Sequence, residues 1–209
     1  AVLPAGATDT FVYTITDGDG DTSTVTLTIT LTNSSLAASN DDLTVNEAAL
    51  STGSNPSSTA ETVTGTVVDN VTPGVAPYTY ALLSSPTGTH GTLTFNADGT
   101  YSYTLTSTVD GATANNGITT ENNVETFTYQ VTDANGNTAT STITIDVIDD
   151  IPTAHADTNS VVEGAIVTGN VLTDGTDDVF GADGAATTVP AGGVTGVAAG
   201  NDTSLPVSG

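Results

Sequence analysis

The sequence predicts an all-β chain built from tandem sandwich domains, and three observations carry that prediction. The composition is rich in Thr, Val, Gly, Asn, Asp and Ser, with no Met or Trp, and Thr and Val favour pleated, half-buried strands. Apolar and polar residues alternate in runs such as TLTIT at 26–30 and FTYQVT at 127–132. That period of two belongs to strands, and no stretch has a clear 3.6-residue apolar period. The same block then returns: TFVYTITDGDGDTSTVTLTIT at 10–30 matches TFTYQVTDANGNTATSTITID at 126–146.

The repetition sets the domain plan. Thr10, Phe11, Tyr13, Thr16, Asp17, Gly20 and Thr22 recur 116 positions later as Thr126, Phe127, Tyr129, Thr132, Asp133, Gly136 and Thr138. The same step carries Asp41 to Asp157 and Glu47 to Glu163, and VTGTVV at 63–68 returns as VTGNVL at 167–172. Residues 1–39 therefore read as the C-terminal part of one repeat, 40–150 as a complete repeat, and 151–209 as the N-terminal part of a following one. The boundaries fall in SLAASNDD and VIDDIPTAHAD, both short, polar and acidic. The chain reads as a window onto a longer array, and half a domain at 151–209 is poorly stable alone.

The complete repeat divides into seven strands near 42–47, 61–69, 77–83, 91–96, 99–106, 124–132 and 138–148, each followed by turn residues. NADG at 96–99 is a tight hairpin signal. Seven short strands at this spacing predict an immunoglobulin-like or cadherin-like β-sandwich. Phe127, Tyr129 and Val131 alternate with Thr128 and Gln130, giving one buried and one wet face. Tyr129 is either a corner tyrosine or simply a core aromatic.

Charge excludes several functions. The 209 residues include 24 Asp and Glu but no Lys or Arg, for a formal charge of −24. A polyanion of this kind repels nucleic acid and anionic membranes, whose binding needs basic side chains. Its self-repulsion destabilises the compact state unless cations are present. There is no cysteine, hence no disulfide and no thiolate chemistry. Lysine–asparagine cross-links are excluded too. No apolar run is long enough for a membrane helix, and no signal segment is visible.

HGTLTFNADGTYSYTL at 90–105, followed by ETFTYQVTDANGNTATSTITIDV at 125–147, resembles the VCBS-type repeats of very large bacterial RTX adhesins. AVLPAGATDTFVYTITDGDGDT at 1–22 resembles the closing half of such a repeat, and GNVLTDGTDD at 169–178 an opening half. The resemblance implies calcium-binding, extracellular β-sandwich domains that extend an adhesin from the bacterial cell surface. The GGxGxDxux nonapeptides of the wider architecture do not occur in this sequence.

DGDGD at 17–21 is then a candidate half-site for metal. It is not an EF-hand loop, because the glycine and glutamate required at the sixth and twelfth positions are Thr22 and Thr28. Sandwich topology brings the leading linker, the B–C loop and the F–G loop to one pole. In the complete repeat these carry Asn40, Asp41 and Asp42; Asp69 and Asn70; and Asp133, Asn135 and Asn137. Asp17, Asp19 and Asp21 are the corresponding F–G residues of the preceding repeat. The following repeat offers Asp149, Asp150 and Asp157 with Asp174, Asp177 and Asp178, beside Asp146 at the end of the last strand. Calcium takes 6–8 hard oxygen ligands, the donor type gathered here, whereas magnesium dehydrates reluctantly. Each aspartate alone is an ordinary turn former. As a set they concentrate like charge with no basic neighbour. Glu47 and Glu163 either ligate at a pole or are solvated turn residues.

Enzyme chemistry has little support. The only histidines, His90 and His155, have no nucleophile motif around them, and a zinc site needs more His or Cys. LPVSG at 205–209 resembles a sortase signal without the apolar span and basic tail that follow one; Asn33, Asn70 and Asn201 lie in N-x-S/T triplets common by chance in a Thr-rich chain. The reading is a calcium-stiffened extender of an adhesin, with neighbouring repeats as its partners, supporting cell adhesion or biofilm formation. Two alternatives stand beside it: a self-assembling filament or surface layer completed by strand exchange between copies, and a glycan-binding module using the unrepeated loop 107–123.

Overall fold

The computed structural model describes residues 6–32, 35–110, 120–187, 193, 194 and 196. The triplets at Asn33 and Asn201, the LPVSG segment and residues 111–119 of the unrepeated loop lie outside the described residues. Among the described residues eleven strands form, joined by turns and two short 3-10 helices. Among the described residues no helix is long and apolar enough to cross a membrane.

β1 (Thr8–Thr16) and β2 (Thr22–Thr30) make an antiparallel hairpin that, among the described residues, pairs with no other strand. β3 (Ala37–Ala38) lies in the leading linker. β4 (Asp41–Asn46) runs into a 3-10 turn at Glu47–Ala49, capped by the Asn46 side chain, which accepts from the Ala48 N–H. β5 (Thr62–Thr66) and a second 3-10 turn at Val68–Asn70 lead to β6 (Val71–Thr72), which pairs with β3. β7 (Thr79–Leu82), β8 (Gly91–Phe95), β9 (Thr100–Leu105), β10 (Thr120–Thr132) and β11 (Thr138–Ile148) follow.

Two sheets face each other. One has the order β4-β11-β10-β7 and the other β5-β9-β8. β4 runs parallel to β11; the remaining pairs are antiparallel. The predicted alternation places the core: Phe127, Tyr129, Val131, Ile143, Ile145 and Val147 of the first sheet are at most 2% exposed, as are Leu93, Tyr103 and Leu105 of the second. Aromatic rings bridge the sheets, with Tyr103 and Phe127 centroids 5.9 Å apart and Phe95 and Tyr129 6.3 Å apart. Tyr129 is a core aromatic whose hydroxyl donates 2.8 Å to the carbonyl of Ser39, fastening the leading linker to the core.

The predicted seven strands of the complete repeat correspond to β4, β5 and β7–β11. The main difference is β10, which starts at Thr120, inside the segment read as a loop, and carries an irregularity between Glu121 and Glu125. Asn123 there is left-handed (φ +54°), a conformation Asn tolerates better than most residues, and its N–H donates 2.7 Å to Asp146 Oδ1. Among the described residues beyond 150 there is no strand, only one bridge between Thr153 and Val179.

Candidate metal centres

The two F–G-type turns share one backbone form. In the first, the Asp17 N–H donates to the Asp21 carbonyl (3.0 Å) and the Gly20 N–H to the Asp17 carbonyl (3.2 Å). In the second, Asp133 pairs with Asn137 (3.0 Å) and Gly136 with Asp133 (3.0 Å). Gly20 and Gly136 have φ of +101° and +81°, conformations that cost glycine no steric strain.

Their side chains differ. Asp133 is buried, and both carboxylate oxygens accept N–H groups: Oδ1 from Asn135 and Asn137 (2.9 Å each), Oδ2 from the Asn137 amide (3.0 Å) and Val75 N–H (3.4 Å). Burial pushes its acidity toward the neutral form, but the bonds from Asn137, Val75 and Asn135 outweigh it and hold the carboxyl below the usual range. At 17–21 aspartates replace both asparagines. One carboxylate oxygen of each of Asp17, Asp19 and Asp21 lies within 4.8 Å of the others, on a fully exposed turn. Asp17 is held below the usual carboxylate range by a hydrogen bond with Asp19 and by the Asp21 N–H.

Asn40, Asp41 and Asp42 lie beside the middle of β11, with Asp41 opposite Ile143, and bond side chains of β11 and β9. Asn40 accepts from Thr142 Oγ1 (2.7 Å) and donates to Thr144 Oγ1 (3.0 Å); Thr144 Oγ1 donates to Asp42 Oδ1 (2.8 Å). Tyr101 donates 2.6 Å to Asp41 Oδ2. The Ser39 N–H reaches the Asn70 carbonyl (3.0 Å), and Asn70 donates to the Asn40 carbonyl (3.4 Å), while Asp69 is exposed. Among the described residues no three carboxylates of this group come within the range of one ion.

The trailing pole does bring three together. Glu47, fully buried, lies with Asp149 and Asp183 so that one oxygen of each is within 4.8 Å of the others. Glu47 Oε1 accepts from the Val109 N–H and Oε2 from the Asp150 N–H (3.4 Å). Burial raises the Glu47 carboxyl to about 7, and repulsion from Asp183 and Asp149 adds to the shift against the two N–H bonds. Beside it, Asp150 accepts from the Ser54 N–H (2.7 Å) and Oγ (2.6 Å), and Thr52 donates to the Ala182 carbonyl (3.1 Å). Gly181 (φ +79°) is packed so closely that a Cβ there would sit 2.2 Å from the Asp150 carbonyl oxygen. These contacts hold residues 181–183 against the repeat, along an acidic cleft of about 950 Å³ that includes Asp149, Asp150, Asp178 and Asp183. Three stretches distant in sequence thus supply hard oxygens, with no basic side chain anywhere in the chain to neutralise them.

The other candidates are dispersed. Asp146 holds the β10 irregularity, Asp174 Oδ2 accepts from the Asn170 N–H (2.7 Å), and Asp178 Oδ1 from the His155 N–H (2.7 Å). Asp177 and Glu163 are exposed. Asp157 Oδ1 is buried without a partner. Its counterpart Asp41 has the Tyr101 hydroxyl, and among the described residues Asp157 has no equivalent of it. His90 is a packing residue: its N–H donates 2.6 Å to Glu125, and Nδ1 lies 2.7 Å from the Thr108 carbonyl. Asp183 is absent from the sequence-based set because GADG at 181–184 reads only as a turn. Its proximity to Glu47 depends on the tertiary packing of Gly181.

No curated protein matches the chain. A family model described as bacterial Ig domain matches residues 33–146, the span that holds the two facing sheets; the chain belongs to the bacterial Ig domain family.

Proposed function

We propose that this chain is a stretch of extender repeats from a bacterial surface adhesin, stiffened by calcium where one repeat passes to the next. Bacterial Ig domains are structural folds typical of surface and extracellular proteins. The observation that carries the finer reading is the Glu47–Asp149–Asp183 constellation. It joins a buried acid of the repeat, its trailing linker and the segment beyond. An ion held there ties the linker to both sides and restricts bending at the junction.

The donor set suits the ion. All three side chains are carboxylates, nearby backbone carbonyls can add to them, and calcium accepts 6–8 such oxygens in flexible geometry. A buried acid facing two like charges is costly when ionised, and a divalent cation removes that cost. Extracellular calcium modules bind with Kd of roughly 0.1–1 mM. At about 100 times Kd one site adds about 2.7 kcal/mol. The Asp17–Asp19–Asp21 trio, on the turn at the end of the β1–β2 hairpin away from the linker, would be a separate, exposed site of the preceding repeat. The test is the length and melting of the protein in calcium against chelator; if neither changes, the reading fails.

The filament reading keeps one specific support. The β1–β2 hairpin leaves Phe11, Tyr13, Ile15, Val25, Leu27 and Ile29 about half exposed, a face that a strand-exchanging copy could cover. Sizing across a concentration series separates the two, since an extender stays monomeric and a filament subunit grows.

A further inference from the structure

We propose that the cleft lined by the trailing linker and residues 171–184 is a binding site for a small organic cation, an ammonium group carried on an apolar tail. Its volume is about 950 Å³, within the roughly 300–1,000 Å³ of small-molecule sites. Ile151, Leu172, Val179 and Phe180 give it apolar walls, and Asp149, Asp150, Asp157, Asp178 and Asp183 give it carboxylates. Apolar walls with a few placed polar groups are the usual make-up of such a site. Asp150 is set in place by Ser54 and Asp178 by the His155 N–H, so these acids are positioned before any ligand arrives.

Charge and walls together choose the ligand's chemistry. Among the described lining residues only His155 can carry a positive charge, and the sequence holds no Lys or Arg. The chain therefore does not neutralise these acids itself. Asp157 adds a specific vacancy for a donor. Its Oδ1 is buried without a hydrogen-bond partner, beneath Gly175, where a Cβ would sit 3.2 Å away. A buried acceptor left unpaired is costly, and an ammonium entering beside the exposed Gly175 turn supplies the missing N–H. A hydrated metal ion gains nothing from the apolar walls, whereas an alkyl tail gains with every methylene it buries. A neutral apolar molecule would cut the carboxylates off from water with nothing in exchange. Asp157 and Asp178 belong to neither close carboxylate trio, so the inference goes beyond the calcium reading and does not rest on it.

The test is an amide-shift titration of the whole protein in chelator, with octylammonium, butylammonium and octanol as probes. Octylammonium should saturate a single site, with shifts confined to residues 149–157 and 171–184. Its Kd should be at least about tenfold lower than that of butylammonium, which keeps the charge and shortens the tail. It should also be at least about tenfold lower than that of octanol, which keeps the tail and lacks the charge. Leu172→Ser with Phe180→Ser should weaken octylammonium about tenfold. Asp157→Asn with Asp178→Asn should weaken octylammonium and leave octanol unchanged, with the amides of β10 and β11 as the fold control. Equal Kd for octylammonium and butylammonium would reduce the cleft to a counterion surface and overturn the proposal. Equal Kd for octylammonium and octanol, or shifts spread over the acidic turns at 17–21 and 133–137, would overturn it too. The probe comparison is made on the wild type, so it decides even where a variant disturbs the wall. Because no calcium is present, either result stands apart from the fate of the calcium reading.

Discussion

The hairpins β1–β2 and β10–β11 are nearly the same object in two settings. Phe11 pairs with Leu27 and Tyr13 with Val25, just as Phe127 pairs with Ile143 and Tyr129 with Ser141. The turns share their backbone bonds, and the alternation is the same. Yet Phe11 and Tyr13 are 49% and 52% exposed, whereas Phe127 and Tyr129 are 2% and 0%. Local pattern makes the hairpin; only a facing sheet makes a core. A lone two-stranded hairpin is marginal in water, so the stability of the described molecule resides in the sandwich.

The sharpest way to break this comparison is to truncate the matched aromatics. Phe127→Ala should cost about 3–5 kcal/mol through lost burial and a cavity, read by denaturant unfolding of the sandwich. Phe11→Ala should cost within about 0.5 kcal/mol on the same transition. Similar costs would mean that the first hairpin is packed after all.

Acidity should divide the same way. Glu47 is raised from 4.5 to about 7 in the fold, so the native state binds the proton more tightly than the unfolded chain. Its contribution is present below about pH 4.5 and is lost as pH rises through 7. The loss is roughly 3 kcal/mol for a shift of this size. In chelator, Glu47→Gln should flatten that part of the pH profile, whereas Asp17→Asn on the exposed turn should leave it in place. A profile unchanged by Glu47→Gln would remove Glu47 as its source.

The two turns give the smallest contrast. Asp133→Ala removes the acceptor of several N–H groups in a partly buried setting and should cost about 1–3 kcal/mol. Asp17→Ala exposes its donors to water and should stay within about 0.5 kcal/mol. Chemical denaturation of both variants in chelator checks the pair, and a large cost for Asp17 would show that its turn supports the sandwich.

The fold was legible because its signals are local. Alternation fixed which residues of 127–131 and 143–147 face inward, and the repeat located the matching strands. The start of β10 was not legible, since Glu121, Asn122 and Asn123 read as loop and become strand through pairing with β11 and the bond to Asp146. Some loop contacts follow from the strand order. The linker does meet the B–C loop, and Asp133 does face Val75. Which acids converge was not legible, because convergence depends on packing. Asn40, Asp41 and Asp42 bond Thr142, Thr144 and Tyr101, partners that no spacing in the sequence announces. Glu47 meets Asp183 only because Gly181 lets the chain pass close to Asp150.

The most direct test of the account is a calcium titration of the whole protein, from chelated to about 10 mM, with magnesium as control, following melting temperature and maximum dimension by small-angle scattering in wild type and Glu47→Gln. The account predicts a calcium-specific rise in both quantities in the wild type and a clearly smaller rise in the variant. A flat wild-type response, or a rise that Glu47→Gln leaves untouched, would contradict calcium at the trailing junction and leave these acids as turn formers and hydrogen-bond acceptors alone.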